Sequence, residues 1–274
     1  MRMKNRFEFA LSLGVMLLAC TGGAQRPSDV IPRTVSMTRT ARILAEALAP
    51  DSKPAADARL LLMSPGGPDE LPQGPDGFDV TKDGNYLITD PLRKRIAMVR
   101  PDGGYLSEWP VGFAADSITV APDESVQIRE ASTGEIHVFD LEGREHPGPA
   151  VSIPTVQARL AGPNRGFVDR LKGGPLEIRF EKPGLTLISL QAVSSDPAGD
   201  TYVAVEATPG GDTVEISKSI RRYSADSRLL AETSSLPLEY YVRPVNEIRV
   251  RKDVVYQLMT TSSEVRINVW DMKP

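Results

Sequence analysis

Two histidines, one cysteine and a scatter of carboxylates set the limits of the chemistry open to this 274-residue chain. A Ser-His-Asp arrangement needs a base within reach of an activated hydroxyl, and only His137 and His146 could serve. His137 falls between Ile136 and Val138 in an alternating run, and His146 precedes Pro147. Neither stands at a nucleophile elbow, so both read as packed or surface imidazoles. Metal-binding patterns are missing too: there is no cysteine pair, no His-x-x-x-His and no Asp-x-Asp-x-Asp-Gly loop. Gly66-Gly67 and Gly210-Gly211 read as turns and not as phosphate loops. The sequence therefore predicts no catalytic residue, no bound metal and no cofactor.

Cys20 carries the remaining chemistry. It follows a basic start (Arg2, Lys4, Arg6) and an apolar stretch from Phe9 to Leu18 that is too short to span a bilayer. The stretch ends Leu17-Leu18-Ala19-Cys20, which resembles a bacterial lipobox. The resemblance implies a lipoprotein signal peptide over residues 1–20, lipid attachment at Cys20, and an exported protein anchored to a bacterial membrane, on its periplasmic side or at the cell surface. Several acyl chains, each giving about 0.8 kcal/mol per buried methylene, would hold it there, and membrane contact would run through that anchor alone. With a single cysteine in the chain, no internal disulfide can form. The formal charge is −4; the first nineteen residues carry Arg2, Lys4, Arg6 and Glu8, which leaves −6 on the remainder. That balance argues against nucleic-acid binding.

The elements that must position these groups announce themselves as a repeat. Sliding the chain by forty positions places Phe78 on Ile118, Val80 on Val120, Asp83 on Asp123, Ile88 on Ile128, Asp90 on Glu130, Ile96 on Ile136 and Gly103 on Gly143. A period near forty in an alternating, turn-punctuated sequence is the mark of a four-stranded propeller blade. Within the first copy, strands are expected at Gly77 to Thr81, Tyr86 to Thr89, Ile96 to Arg100 and Tyr105 to Trp109. Tight turns at Lys82-Asp83-Gly84-Asn85 and Pro101-Asp102-Gly103-Gly104 set their register.

Phe78 to Asp90 with Arg95-Ile96 resembles the NHL-type repeat, in which an apolar strand, an Asp-x-x-Gly-Asn turn, a strand ending in Asp and an Arg-Ile pair follow in order. That resemblance implies an all-β propeller, and with it one enzymatic alternative: a propeller hydrolase or lyase with a metal in the central channel, for which Asp79, Asn246 and Glu247 are the channel-facing candidates. Counting strands over residues 58–274 gives about five four-stranded blades, with six as the alternative. The third blade would use Val156 to Leu160, Gly166 to Leu171, Leu176 to Phe180 and Leu185 to Ile188. The fourth would use Leu190 to Ser194, Thr201 to Glu206, Ser219 to Ser224 and Arg228 to Thr233. The last has three strands, at Asn246 to Val250, Val254 to Met259 and Glu264 to Asp271, so Ala58 to Met63 is expected to close the ring as its fourth. Residues 21–57 read as a tether followed by one short helix, because Met37, Ala41, Leu44 and Leu48 recur at helical spacing ahead of Pro50.

A propeller presents a ring of loops on each face, so binding is the leading function. One face is expected to collect Arg93, Lys94 and Arg95 together with Tyr240, Tyr241 and Arg243. Tyrosine and arginine are the types enriched at protein interfaces. The expectation is a monomeric propeller acting as a protein-binding or scaffold module, with an envelope protein as partner.

Overall fold

The computed structural model describes residues 32–274 except 49–56, 58, 67–68, 148–156, 171–173, 197 and 211–214. Cys20, the whole 1–20 segment and the first part of the expected tether lie outside the described residues. All twenty regular elements are β-strands, and no α-helix occurs among the described residues.

The first sheet runs β4 (Phe78–Val80), β5 (Tyr86–Asp90), β6 (Arg95–Val99) and β7 (Tyr105–Pro110), paired antiparallel in that order. The second is β8 (Ala115–Val120), β9 (Val126–Glu130) and β10 (Ile136–Phe139). The repeat survives in three dimensions, since Tyr86, Asp90 and Val99 stand at the strand ends that Val126, Glu130 and Phe139 occupy one period later. Among the described residues, the second sheet has three strands and an isolated bridge between Phe139 and Glu145.

The third sheet is β11 (Ala158–Gly162), β12 (Arg165–Val168) and β13 (Leu176–Arg179). The fourth is β14 (Thr186–Ser195), β15 (Thr201–Thr208), β16 (Ser217–Tyr223) and β17 (Leu229–Thr233), with β1 (Arg33–Val35) added parallel to β17. The fifth is β18 (Ile248–Arg251), β19 (Val254–Thr260) and β20 (Glu264–Asp271), extended by β2 (Arg39–Ala47) and then β3 (Leu61–Met63).

Strand alternation explains how the sheets pack. Along β5, Tyr86 and Ile88 join Ala41, Ile43, Leu258 and Ile267 of the fifth sheet, while Leu87 turns the other way to meet Ile118, Val126 and Ile128 of the second. Along β15, Tyr202 and Ala204 pack with Val255 and Trp270 of the fifth sheet, and Val203 and Val205 with Val168 and Ile178 of the third. Separate apolar cores thus lie between sheets one and two, three and four, four and five, and five and one. Each Val, Leu or Ile among them, when fully buried, adds about 1.5–3 kcal/mol. This all-β, propeller-like stacking needs no disulfide.

Three expectations are corrected. The helix expected between residues 36 and 49 is β2, antiparallel to β20 from Arg39 opposite Val269 to Leu44 opposite Glu264. Its inward residues are Ala41 and Ile43, whereas Leu44 is 68% exposed. Gly103, at φ +93, lets this strand approach, because any side chain there would collide with the Arg42 carbonyl oxygen. The strand expected from Ala58 to Met63 is not the fourth of the last sheet; Leu61–Met63 lies outside β2 and parallel to it. Leu185 to Ile188 is no outer strand of the third sheet, because 186–188 belong to β14, the first strand of the fourth.

Candidate functional site

Polar side chains converge where β4 begins and β5 ends. Thr89, near the end of β5, turns its hydroxyl onto the backbone N–H of Gly77 (2.9 Å) and Asp76 (3.2 Å), fixing the entry to β4. The Asp76 carbonyl accepts the Asn246 N–H at 2.8 Å, which ties that entry to the segment leading into β18. Gly77 permits the contact with the second sheet, for a Cβ there would stand 3.1 Å from the Ser117 Cα.

Behind this edge sits Asp79, 8% exposed, on β4. Its carboxylate accepts the Val80 N–H (2.7 Å) and the Val120 N–H (2.8 Å). Arg249 of β18 lies 3.8 Å away and donates to the Ile118 carbonyl (2.8 Å) and to Asn246 Oδ1 (2.9 Å). Burial pushes the Asp79 carboxyl up, and the Arg249 charge and the two N–H groups oppose that rise. Ser117 donates to the same Asn246 oxygen at 2.5 Å. Asp76 is less well compensated. Burial, and secondarily the negative Asp116, push its carboxyl up to about 6. Asp116 is itself held by a two-pronged contact from Arg129, at 2.8 and 2.9 Å.

A second cluster adjoins the first through the 243–249 segment. Lys218 of β16 is 2% exposed, with its ammonium 3.1 Å from Glu206 and 3.0 Å from Glu247. Arg243 reaches toward the same two carboxylates at 3.7 and 3.6 Å, while two thirds of its side chain remains in solvent. The Tyr240 hydroxyl accepts from Gln257 at 2.8 Å and lies near the Glu247 carboxylate. Burial first, and then the Glu247 charge, raise the Tyr240 phenol far above its ordinary value.

The expected binding residues divide into two groups. Tyr240, Tyr241 and Arg243 come together on the connection into β18, with Tyr241 half-buried against the core between sheets five and one. Arg93 and Lys94 lie at the β5–β6 turn, at the same end of the first sheet. Lys94 is exposed at φ +51, and Arg93 donates to the Asp57 carbonyl at 3.1 Å. Arg95 is 4% exposed and turned inward, 2.9 Å from Asp90, paired with Glu108 and donating to the Leu60 carbonyl at 2.7 Å. Its part is to hold the turn that presents Arg93 and Lys94.

Asp79, Asn246 and Glu247 do lie close in the fold, but each is engaged by a cation of the chain itself, Arg249 or Lys218. Lys218 and Glu206 escaped sequence reasoning; the available signal was a lysine inside the strand Ser217–Tyr223. Two exposed apolar residues lie on the segments that lead into β4 and β18. Leu71 is 84% and Val245 56% exposed, on segments that run together where Gly74 meets Val242 and Asp76 meets Asn246.

No family model and no curated protein matches the chain. Among solved structures, virginiamycin B lyase from Staphylococcus aureus is similar over 71% of this chain and 94% of its own, at 11% identity and a TM-score of 0.37. BamB from Moraxella catarrhalis is similar over 86% of this chain and 99% of its own, at 11% identity and a TM-score of 0.32. A protein from Bacteroides fragilis aligns over 88% of this chain and 99% of its own, at 8% identity and a TM-score of 0.30. Likeness at this level assigns neither substrate nor partner.

Proposed function

We propose that the chain is an exported β-propeller, anchored to a bacterial membrane through lipid on Cys20, that works as a protein-binding or scaffold module in the cell envelope. The five sheets are its blades, and β2 closes the ring by completing the last one. The observation that carries the binding role is a contrast within one face. The buried carboxylates Asp79 and Glu247 and the half-buried Glu206 are answered by Arg249 and Lys218, whereas Arg243, Val245, Leu71 and Lys94 stand in solvent around them. Exposed apolar groups beside cations fit a partner that offers an acidic element next to an apolar patch. Tyr240 and Tyr241 supply rigid area beneath them.

The anchor is tested by fractionating cells that express the full chain with Cys20→Ser. Release from the membrane, or accumulation of an unprocessed precursor, is the expected result. A processed variant that stays on the membrane contradicts the lipid anchor.

A further inference from the structure

The internal repeat supplies its own control for one cluster that the binding face does not use. In the first sheet, Asp90 at the end of β5 lies opposite Arg95 at the start of β6, and the two form a sealed ion pair at 2.9 Å. One period later, Glu130 replaces Asp90 and Glu135 replaces Arg95, with the Glu130 N–H bonded to the Glu135 carbonyl at 2.9 Å. A carboxylate thus stands where the first repeat has a guanidinium. Like charges directly opposite across a strand pair destabilise it, so this position calls for a cation.

The same substitution pattern brings in a ligand. His137 lies opposite Ile128 on β10, and the period-two alternation puts Glu130, Glu135 and His137 on one side of the sheet. One ligand atom from each lies within 4.8 Å of the other two. Glu145, bridged beside Phe139, meets His137 Nδ1 at 2.9 Å, and Phe113 stacks on the ring with centroids 4.4 Å apart. A carboxylate on Nδ1 keeps the proton there and leaves the Nε2 lone pair free. Nε2 is shielded from solvent, has no hydrogen-bond partner, and lies 3.9 Å from the Glu130 carboxylate. Ser132 and Thr133 donate to Glu130 at 2.5 and 2.9 Å and hold it ionised and oriented.

We propose that Glu130, Glu135 and His137 bind a divalent transition-metal ion of the Zn2+ class, with Glu145 as the outer partner of the imidazole. One imidazole with two carboxylates is a borderline donor set that suits zinc better than the purely oxygen-loving Mg2+ or Ca2+. Ligands about 2.0–2.2 Å from a tetrahedral ion stand about 3.3 Å apart. Closing from the observed spacing needs a swing of the exposed Glu135 side chain and an approach of about 0.6 Å between Glu130 and His137 Nε2. The fourth position faces solvent and takes water. Its ligands are none of the docking-face residues, although Lys94 of that face lies near enough to Glu130 to favour its ionised form.

The test titrates ZnCl2 into the full chain by calorimetry, with Co2+ absorbance as a second reading of the ligand field. One equivalent is expected to bind. Glu135→Gln, an exposed change, should weaken it at least tenfold and His137→Gln at least a hundredfold, while Glu145→Gln costs about 10–100-fold through the second shell. His146→Gln, which alters the neighbouring histidine beside Asp140, should bind like the parent. The proposal is overturned if the parent takes up no stoichiometric zinc, if Glu135→Gln and His137→Gln keep the parent's affinity, or if His146→Gln is the variant that loses it.

Discussion

Lys218 places its ammonium 3.0 Å from the Glu247 carboxylate, joining the fourth sheet to the segment that enters the fifth with almost no access to water. Removing one partner of such a pair leaves a buried charge unanswered, a loss of several kcal/mol. Lys218→Met leaves Glu247 and Glu206 with only the largely exposed Arg243 as a cation in reach. Chemical denaturation is expected to show a loss of about 3 kcal/mol, and a stability within 0.5 kcal/mol of the parent would contradict the pairing.

The strand at Arg39–Ala47 makes an opposite demand on neighbouring side chains from that of a helix. Ile43 is 3% exposed and Leu44 68%. Ile43→Ala should therefore cost about 2–4 kcal/mol, and Leu44→Ala less than about 0.5 kcal/mol. A helix packed through Met37, Ala41, Leu44 and Leu48 would reverse that order, so melting curves of the two variants separate the alternatives.

How much of this was legible in the sequence follows from which interactions are local. The forty-residue repeat and its turns were legible because each blade is stitched from consecutive strands. The β2 segment was not, because Met37, Ala41, Leu44 and Leu48 fit a helix as well as Ala41, Ile43 and Ala45 fit a strand; the arbiter is β20, more than two hundred residues away. Arg95 was grouped with its basic neighbours, although Asp90 five residues earlier is the group that draws it inward. Lys218 and Glu247 are distant in sequence, so only the stacking of two sheets brings them together. The Glu130, Glu135 and His137 cluster lay within eight residues, and comparing the two repeats position by position exposes it.

Asp76 gives the fold a pH dependence of unusual sign. Its carboxyl is pushed up to about 6 in the folded chain, against an ordinary value of 3.8. The folded state thus binds the extra proton between those values, and this group's contribution to stability falls as pH rises through that window. Above it, the unfavourable contribution is complete. Asp76→Asn removes the group, so the variant should gain stability relative to the parent on going from pH 4 to pH 7.5. Parallel melting curves across the range, with no relative gain, would show that Asp76 titrates normally.

The docking face is tested most directly by position-specific photo-crosslinking in intact cells, with the full chain carrying a photoreactive residue at Val245, at Leu71, or at Asp83 in the turn at the opposite end of the first sheet. Val245 and Leu71 are exposed, so the probe should leave the fold intact. The account predicts one discrete protein adduct, the same from Val245 and Leu71 and absent from Asp83, and weakened by Arg243→Glu. Adducts from Asp83 alone, or from none of the three positions, would contradict a protein-binding role for this face.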